Sequence, residues 1–272
     1  MLRSQGVMVA LFCLAAQASA QGVLLRVHPH VGDTLHTRLE QQTEVSTVPA
    51  AGARGVKSVT TSVVLNSRTI VQESTSASTV LLTIVDSADL HTSDAHGAAQ
   101  VAAAERTLRG QQLVLRLGID GTVESAHDAR GVPMPRDVVE AMAAMPAVFP
   151  RRAVGVGDTW TRELPLPAGG PLGAKGAGRV SAVFRLDSLD RASTLAYVSM
   201  RGEIVPEGPA EGVQLSGAVQ GAMLVDRLRG WMTDSHFIVT LHSLVTPPAV
   251  TGLAPMRFVT KVTQRLRTMD KR

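Results

Sequence analysis

The sequence predicts a mainly antiparallel β protein, built as one large curved sheet or half-barrel with one or two helices between its halves. Apolar residues recur at every second position over most of the chain, which is the period of a half-buried strand. Glycine, aspartate and serine clusters separate these stretches and are typical of turns. The tetrapeptide Val-Gly-Asp-Thr occurs at 31–34 and again at 156–159, each time directly before a strand-like stretch.

The first half of the chain contains five predicted strands. They cover residues 34–45, 58–71, 79–90, 112–117 and 122–127. In the first of them, Leu35 and Leu39 share one face, and Arg38 and Glu40 take the other. The residues 73–78 predict a turn, and the pair Asp120-Gly121 predicts a hairpin turn before the fifth strand.

Two stretches break this alternation and predict helices. The alanine-rich segment from Ala98 to Leu108 favours a helix that ends at Gly110. A second helix is predicted from Pro135 to Pro146, because proline suits the first turn of a helix and apolar residues follow at helical spacing.

The second half returns to the period of two. Val180, Ala182, Phe184 and Leu186 form one face of a strand, and the next predicted strand ends near Ile204. A long hairpin follows at 214–245 with its turn near 226–230. The last strand directs Met256, Phe258, Val262 and Leu266 inward and Arg257, Lys261, Arg265 and Arg267 outward. The total is about ten or eleven strands.

Each Val-Gly-Asp-Thr segment is interpreted as a turn that begins a strand. Gly32 and Gly157 can adopt positive φ at little cost, and Asp33 and Asp158 can hydrogen-bond the backbone two residues further on.

The repeat leaves two readings open. Either one common turn is used twice by chance, or the chain consists of two related β half-units. The second reading divides the chain into a leader at 1–20, an N-terminal half-unit at 21–150 that ends in a helix, and a C-terminal half-unit at 151–272.

Two further motifs carry a family resemblance. Gly157-Asp158-Thr159-Trp160 follows a Phe-Pro loop, and glycines at 217, 221 and 230 surround an aspartate at 226. This pattern resembles a family of exported bacterial β-rich proteins with a G-D-(S/T)-W turn and a glycine-spaced hairpin, and the likeness spans roughly residues 31–267. The family has no established activity. The resemblance therefore implies only a fold, a curved half-barrel similar to the periplasmic lipoprotein carriers, with a concave apolar sheet partly covered by helix.

The N-terminal segment predicts export. Residues 1–20 contain one basic residue, Arg3, then a short apolar core and Ala18-Ser19-Ala20, the pattern of a cleaved signal peptide. We expect cleavage near Ala20 and a periplasmic or secreted protein without a transmembrane segment in the mature chain. Cleavage there removes Cys13, the only cysteine, so we expect neither disulfides nor thiolate chemistry.

Composition and motifs argue against several function classes. The net charge is only +4 and aromatic residues make up 3% of the chain, whereas nucleic-acid binders need clustered positive charge and stacking platforms. Pairs such as His28 and His30 could hold a metal only with further ligands. There is no G-x-S-x-G, H-E-x-x-H or phosphate-cradling motif. We therefore expect no nucleic-acid partner, no metal, no cofactor and no enzymatic activity.

Apolar residues are the remaining sequence evidence for a function. Trp160, Phe184, Phe258, Met142 and Met145 are predicted to line a ligand cavity under the second helix, if the curved sheet leaves one. The leading hypothesis is a non-enzymatic protein that binds a lipid or another apolar ligand in the concave sheet. The first alternative is an envelope structural or protein-interaction module with a filled core. The second is a hydrolase whose site is not visible in the sequence.

Overall fold

The computed structural model describes residues 22–49, 57–133, 148–165, 178–206, 213–246 and 254–269. These residues form eleven strands and one helix. In chain order the elements are β1 (Thr34–Pro49), β2 (Lys57–Ser74), β3 (Ser78–Thr92), α1 (Ala98–Leu108), β4 (Gln112–Gly118), β5 (Val123–Asp128), β6 (Thr159–Pro165), β7 (Gly178–Leu189), β8 (Leu195–Pro206), β9 (Val213–Asp226), β10 (Trp231–Val245) and β11 (Met256–Met269).

All eleven strands belong to one antiparallel sheet with the order β5-β4-β3-β2-β1-β11-β10-β9-β8-β7-β6. Each strand pairs with its neighbour in the chain, except that β5 and β6 lie at opposite edges and β11 closes onto β1. The predicted fold class is therefore confirmed. The sheet is open, and the two halves of the chain lie side by side in it.

The helix α1 matches its prediction from Ala98 to Leu108, with Gly110 at a φ of +70° just beyond it. It lies between β3 and β4, along the edge of β3. There the backbone N–H of Gly110 donates to the carbonyl of Val85 (2.9 Å), and the Arg109 side chain donates to the carbonyl of Ala88. Covering an edge in this way protects its free backbone groups. The second predicted helix, residues 135–146, lies outside the described residues.

The first Val-Gly-Asp-Thr segment is a turn that docks on the neighbouring strand. Gly32 has a φ of +88°, and Asp33 closes the turn by accepting a hydrogen bond at Oδ2 from the N–H of His30 (3.1 Å). The backbones of Gly32 and Asp33 then bond to Val71 of β2 at 2.9 and 3.0 Å.

The second segment has the same geometry. Gly157 has a φ of +93°, and Asp158 accepts at Oδ2 from the N–H of Gly155 (3.0 Å). The backbones of Gly157 and Asp158 bond to Leu186 of β7 at 2.7 and 3.1 Å. Both aspartates thus bond to the backbone, as the sequence predicted, but to the N–H three residues before them and not two residues further on. Both turns anchor the first strand of a meander.

The glycine-spaced hairpin is formed by β9 and β10. Asp226 accepts hydrogen bonds from the N–H groups of Leu228 and Arg229 at 2.9 Å each and so stabilises the turn. Gly230 has a φ of +59°, and a Cβ there would collide with the carbonyl of His28. A Cβ at Gly221 would likewise collide with the ring of Phe237. These glycines are required by close approach of neighbouring groups.

The sheet curls until its two edges meet at one end. Eleven flat strands would place the edges about 48 Å apart. Nevertheless, the N–H of Phe149, just before β6, donates to the carbonyl of Asp120 in the β4–β5 turn (3.0 Å). The segment 22–33 also crosses this end, where Val23 bridges to Val154, Val27 bonds to Ile119 and His28 bonds to Gly230. We call this end of the sheet the closed end.

No helix within the described part of the chain has the length and apolar character needed to cross a bilayer.

Candidate functional site

The strand register defines which side chains share the inner face of the curled sheet. One continuous row on this face runs through Val63, Gln41, Gln264, Phe237 and Gly221 on β2, β1, β11, β10 and β9. It continues through Met200, Phe184 and Trp160 on β8, β7 and β6. This is the face against which segment 22–33 packs, so it is the interior of the half-barrel.

The inner face of β6 to β9 is a filled core, against which the half-buried Phe237 and Val239 of β10 pack. Phe184, Leu186, Val198 and Val225 are at most 1% exposed. The residues that pack on them from segments 22–33 and 148–158 are Val23, Leu25, Val27, Phe149 and Val154. Packing of this density leaves the side chains no room for a ligand.

Trp160 is fixed within this core by two contacts. Its ring stacks on Phe184 with centroids 5.7 Å apart and planes 9° apart. Its Nε1–H donates to the carbonyl of Val148 at 2.8 Å, across from β6 to the segment that precedes it. The indole therefore satisfies its polar group while its apolar surface fills the interior.

Asp120 forms the joint between the two edges of the sheet. Its side chain is 7% exposed and accepts hydrogen bonds from the N–H and hydroxyl of Thr122 and, at 3.0 Å, from Nε of Arg151. Burial alone would raise the pKa of Asp120, but the hydrogen bonds from Thr122 and Arg151 outweigh it and hold that pKa below its ordinary value. An ionised Asp120 thus ties the β4–β5 turn to the segment before β6.

On the central strands β1, β2 and β11, the side chains of the inner face are less buried than those of the filled core. Along β2, exposure rises from 1% at Val71, near the closed end, to 38% at Val59 near the other end. On β1, Leu35 is buried, whereas Leu39 and Val45 are half-buried. Of the half-buried or exposed apolar side chains on this part of the inner face, seven define what we call the open surface: Leu39, Val45, Val59, Val63, Leu65, Phe258 and Val262.

The open surface also contains polar groups that carry no charge. Gln41 faces Gln264 across the β1–β11 pair, and Thr43 and Thr61 are neighbours on β1 and β2. The charged residues of β1, Arg38, Glu40 and Glu44, lie on the opposite, outer face, where Arg38 and Glu40 pair at 2.6 Å. The open surface is therefore apolar with hydroxyl and amide groups between its aliphatic side chains.

Of the five residues predicted from sequence to line a ligand cavity, the structure describes three, and these three do not all lie in one place. Trp160 and Phe184 stack in the filled core. Phe258 lies on the open surface of β11, opposite Thr47 and Ser243. Met142 and Met145 lie outside the described residues. The role of all five residues as ligand contacts stays a prediction.

Sequence reasoning did not name Val63, Leu65 or Leu39 as ligand contacts, and of these three it assigned only Leu39 to a strand face. Period-two spacing shows which face a residue joins. The part of the face that stays uncovered depends on the path of segment 22–33, which bonds to residues as distant in the chain as Val154 and Gly230.

Several titratable groups of the described residues stabilise turns or form ion pairs. Hydrogen bonds from the N–H of Gly155 and the side chain of Arg152 lower the pKa of Asp158, and hydrogen bonds from Leu195 and Thr194 lower that of Asp190. His28 contacts the hydroxyl of Ser74 through Nδ1 at 3.1 Å. No group of three or more His, Cys, Asp or Glu residues in the described ranges has the arrangement of a metal site.

Comparisons with known proteins show only distant likeness. No family model and no curated protein matches the chain. A structure of lipovitellin, described for its lipid–protein interactions, superimposes with a TM-score of 0.47 at 8% identity over 89% of this chain, which spans only 25% of the lipovitellin chain. An outer membrane channel from Pseudomonas putida F1 matches 93% of this chain and 98% of its own at a TM-score of 0.25 and 11% identity. DynF from the dynemicin pathway of Micromonospora chersina matches 98% of this chain and 94% of its own at a TM-score of 0.24 and 7% identity.

Proposed function

We propose that this protein binds a lipid or another apolar ligand on the open surface of its half-barrel. The observation that supports the proposal is the rise in exposure along the inner face of β2, from Val71 at the closed end to Val59. The same sheet face is densely packed on β6 to β9, partly covered on β10 and left accessible on β1, β2 and β11. Contiguous accessible apolar surface of this kind marks sites of ligand or partner binding.

An apolar ligand fits the chemistry of this surface. Each valine or leucine side chain that a ligand removes fully from water contributes on the order of 1.5–3 kcal/mol. The uncharged Gln41, Gln264 and Thr43 offer hydrogen bonds to a polar group on the ligand without requiring a charged one. Phe258 belongs to the open surface. Trp160 and Phe184 belong to the rigid core beside the open surface, and Met142 and Met145 are proposed as further contacts of the ligand.

We also propose that the chain is exported after cleavage near Ala20. Cleavage at that position keeps the core residues Val23, Leu25 and Val27 in the mature chain. N-terminal sequencing of the exported form tests this, with Gln21 expected as the first residue. Retention of Met1 in exported protein would contradict it.

The test of ligand binding uses a matched pair of variants on β2. Val63 and Val64 are adjacent and both half-buried, but Val63 faces inward between Gln41 and Leu90, while Val64 faces outward between Glu40 and Asp89. We expect Val63→Gln to weaken binding of a fluorescent fatty acid about tenfold, since a buried valine contributes on the order of 1.5 kcal/mol. Val64→Gln should leave the affinity within about twofold.

Two results would contradict the proposal. One is an equal affinity of both variants and the parent protein for the fluorescent fatty acid. The other is the absence of any bound lipid in native mass spectra, both in the purified protein and after addition of fatty acid or phospholipid. The second result would favour the competing function, a protein-interaction module with a filled core.

A further inference from the structure

The outer face of the sheet carries a depression of about 500 Å³ over β7 to β10. The register places Ser199 and Ala222 opposite each other at its floor, flanked on the same cross-strand row by Arg185 and His236. Arg201 lies on the next row. Short side chains in the middle and long ones around them create the concavity. It lies on the opposite side of the sheet from the open surface.

The titratable side chains that line the depression are all basic. The residues that line it include Arg185, Arg201 and His236 but neither aspartate nor glutamate. Arg185 forms an ion pair with the exposed Asp187 at 3.8 Å, and Arg265 on the same outer face pairs with Asp234 at 3.0 Å. Arg201 differs, because within the described ranges it has neither an ion pair nor a hydrogen-bonded side-chain partner.

Further donors converge on the same space. Gln220 faces Arg201 across the β8–β9 pair, and Ser199 is two residues before Arg201 on the same face. Their side chains make no hydrogen bond to the rest of the described chain. Val183 and Ile238 add aliphatic surface at two sides. A guanidinium group binds phosphate and sulfonate oxygens through paired N–H donors.

We propose that this depression binds a small organic anion that carries a phosphate or sulfonate group on an apolar body. The guanidinium groups of Arg201 and Arg185 contact the anionic group, Gln220 and Ser199 donate further hydrogen bonds, and the body of the ligand rests on Val183 and Ile238. This site is independent of the proposed binding of an apolar ligand on the inner face.

The probe is pyrene trisulfonate, a rigid fluorescent trianion, whose binding is measured by fluorescence anisotropy. Arg201→Gln and Ser199→Phe are expected to weaken binding at least tenfold, the first by removing a cation and the second by filling the floor. Arg257→Gln is the matched control, since Arg257 is an exposed outer-face arginine on β11 away from the depression. It should change the affinity less than twofold.

Equal binding by Arg201→Gln, Ser199→Phe and Arg257→Gln would overturn the proposal, as would the absence of binding in the parent protein. A second arm uses vesicles of phosphatidylglycerol and of phosphatidylcholine. Binding to the anionic vesicles without binding of the trisulfonate would assign the arginines to a membrane surface and contradict a small-molecule site. Fatty-acid binding by Arg201→Gln should match the parent protein, so that failure of this proposal is distinguishable from failure of the proposed function.

Discussion

Arg151 donates a hydrogen bond from Nε to Oδ2 of Asp120 over 3.0 Å, and this contact joins the two edges of an eleven-stranded sheet. Asp120 lies in the turn between β4 and β5, and Arg151 precedes β6. The hydrogen bond between the backbones of Phe149 and Asp120 lies beside it. The joint closes one end of the half-barrel, and segment 22–33 fills the space behind it.

Loss of the Asp120 side chain should destabilise the whole sheet. Asp120→Ala removes the acceptor for Thr122 and Arg151, so we expect the free energy of unfolding to fall by about 2–4 kcal/mol in urea denaturation. The control is Asp86→Ala, which removes an exposed partner of Arg68 and should change that free energy by less than about 1 kcal/mol. Similar losses in the two variants would show that Asp120 is not a structural joint.

The same carboxyl group should make stability depend on pH. Because hydrogen bonds hold the pKa of Asp120 below its ordinary value, its stabilising effect is present above a pH of about 4 and is lost as the pH falls through the lowered pKa. The melting temperatures of the parent protein and Asp120→Asn should therefore differ at pH 7 and converge toward pH 2–3. A difference that stays constant over this range would contradict the assignment.

The two Val-Gly-Asp-Thr turns should respond equally to substitution. A Cβ at Gly32 or Gly157 would meet no atom within 4 Å, but both residues have a φ near +90°. Gly32→Ala and Gly157→Ala should each reduce the free energy of unfolding by about 1–2 kcal/mol through backbone strain alone.

Gly155→Ala is the control for these turns. Gly155 is outside the positive-φ region, and a Cβ there would meet Oδ2 of Asp158 only at 4.0 Å. Chemical denaturation should find it at least as stable as the parent protein. A loss at Gly155 equal to that at Gly157 would mean that the turns do not depend on positive φ.

The two tryptophans should differ sharply in their contribution to stability. Trp160→Phe removes the hydrogen bond to Val148 and leaves a void beside Phe184, so we expect a loss of about 2–3 kcal/mol by circular-dichroism denaturation. Trp231 is half-buried and its Nε1 has no partner in the described residues. Trp231→Phe should therefore lose less than about 1 kcal/mol, and the reverse order would contradict the role given to Trp160.

The sequence was sufficient to predict the local structure. The alternation of apolar residues placed Leu35, Val180 and Phe184 on the correct face, and the glycines at 32 and 157 marked the turns, because strand period and positive φ are properties of neighbouring residues. The helix from Ala98 to Leu108 followed for the same reason.

The long-range arrangement could not be predicted in this way. The pairing of β11 with β1, the crossing of segment 22–33 and the contact of Asp120 with Arg151 join residues far apart in the chain. No local pattern encodes such pairings. The stacking of Trp160 on Phe184 and the depression around Ser199 likewise depend on the register between neighbouring strands.

Photo-crosslinking with a diazirine-bearing fatty acid tests the central proposal most directly. After irradiation, peptide mapping should find adducts on inner-face residues of β1, β2 and β11, such as Leu39, Val63 and Val262, and unlabelled fatty acid should compete them away. Adducts confined to outer-face residues such as Val64, or adducts that excess unlabelled fatty acid does not reduce, would contradict binding on the open surface.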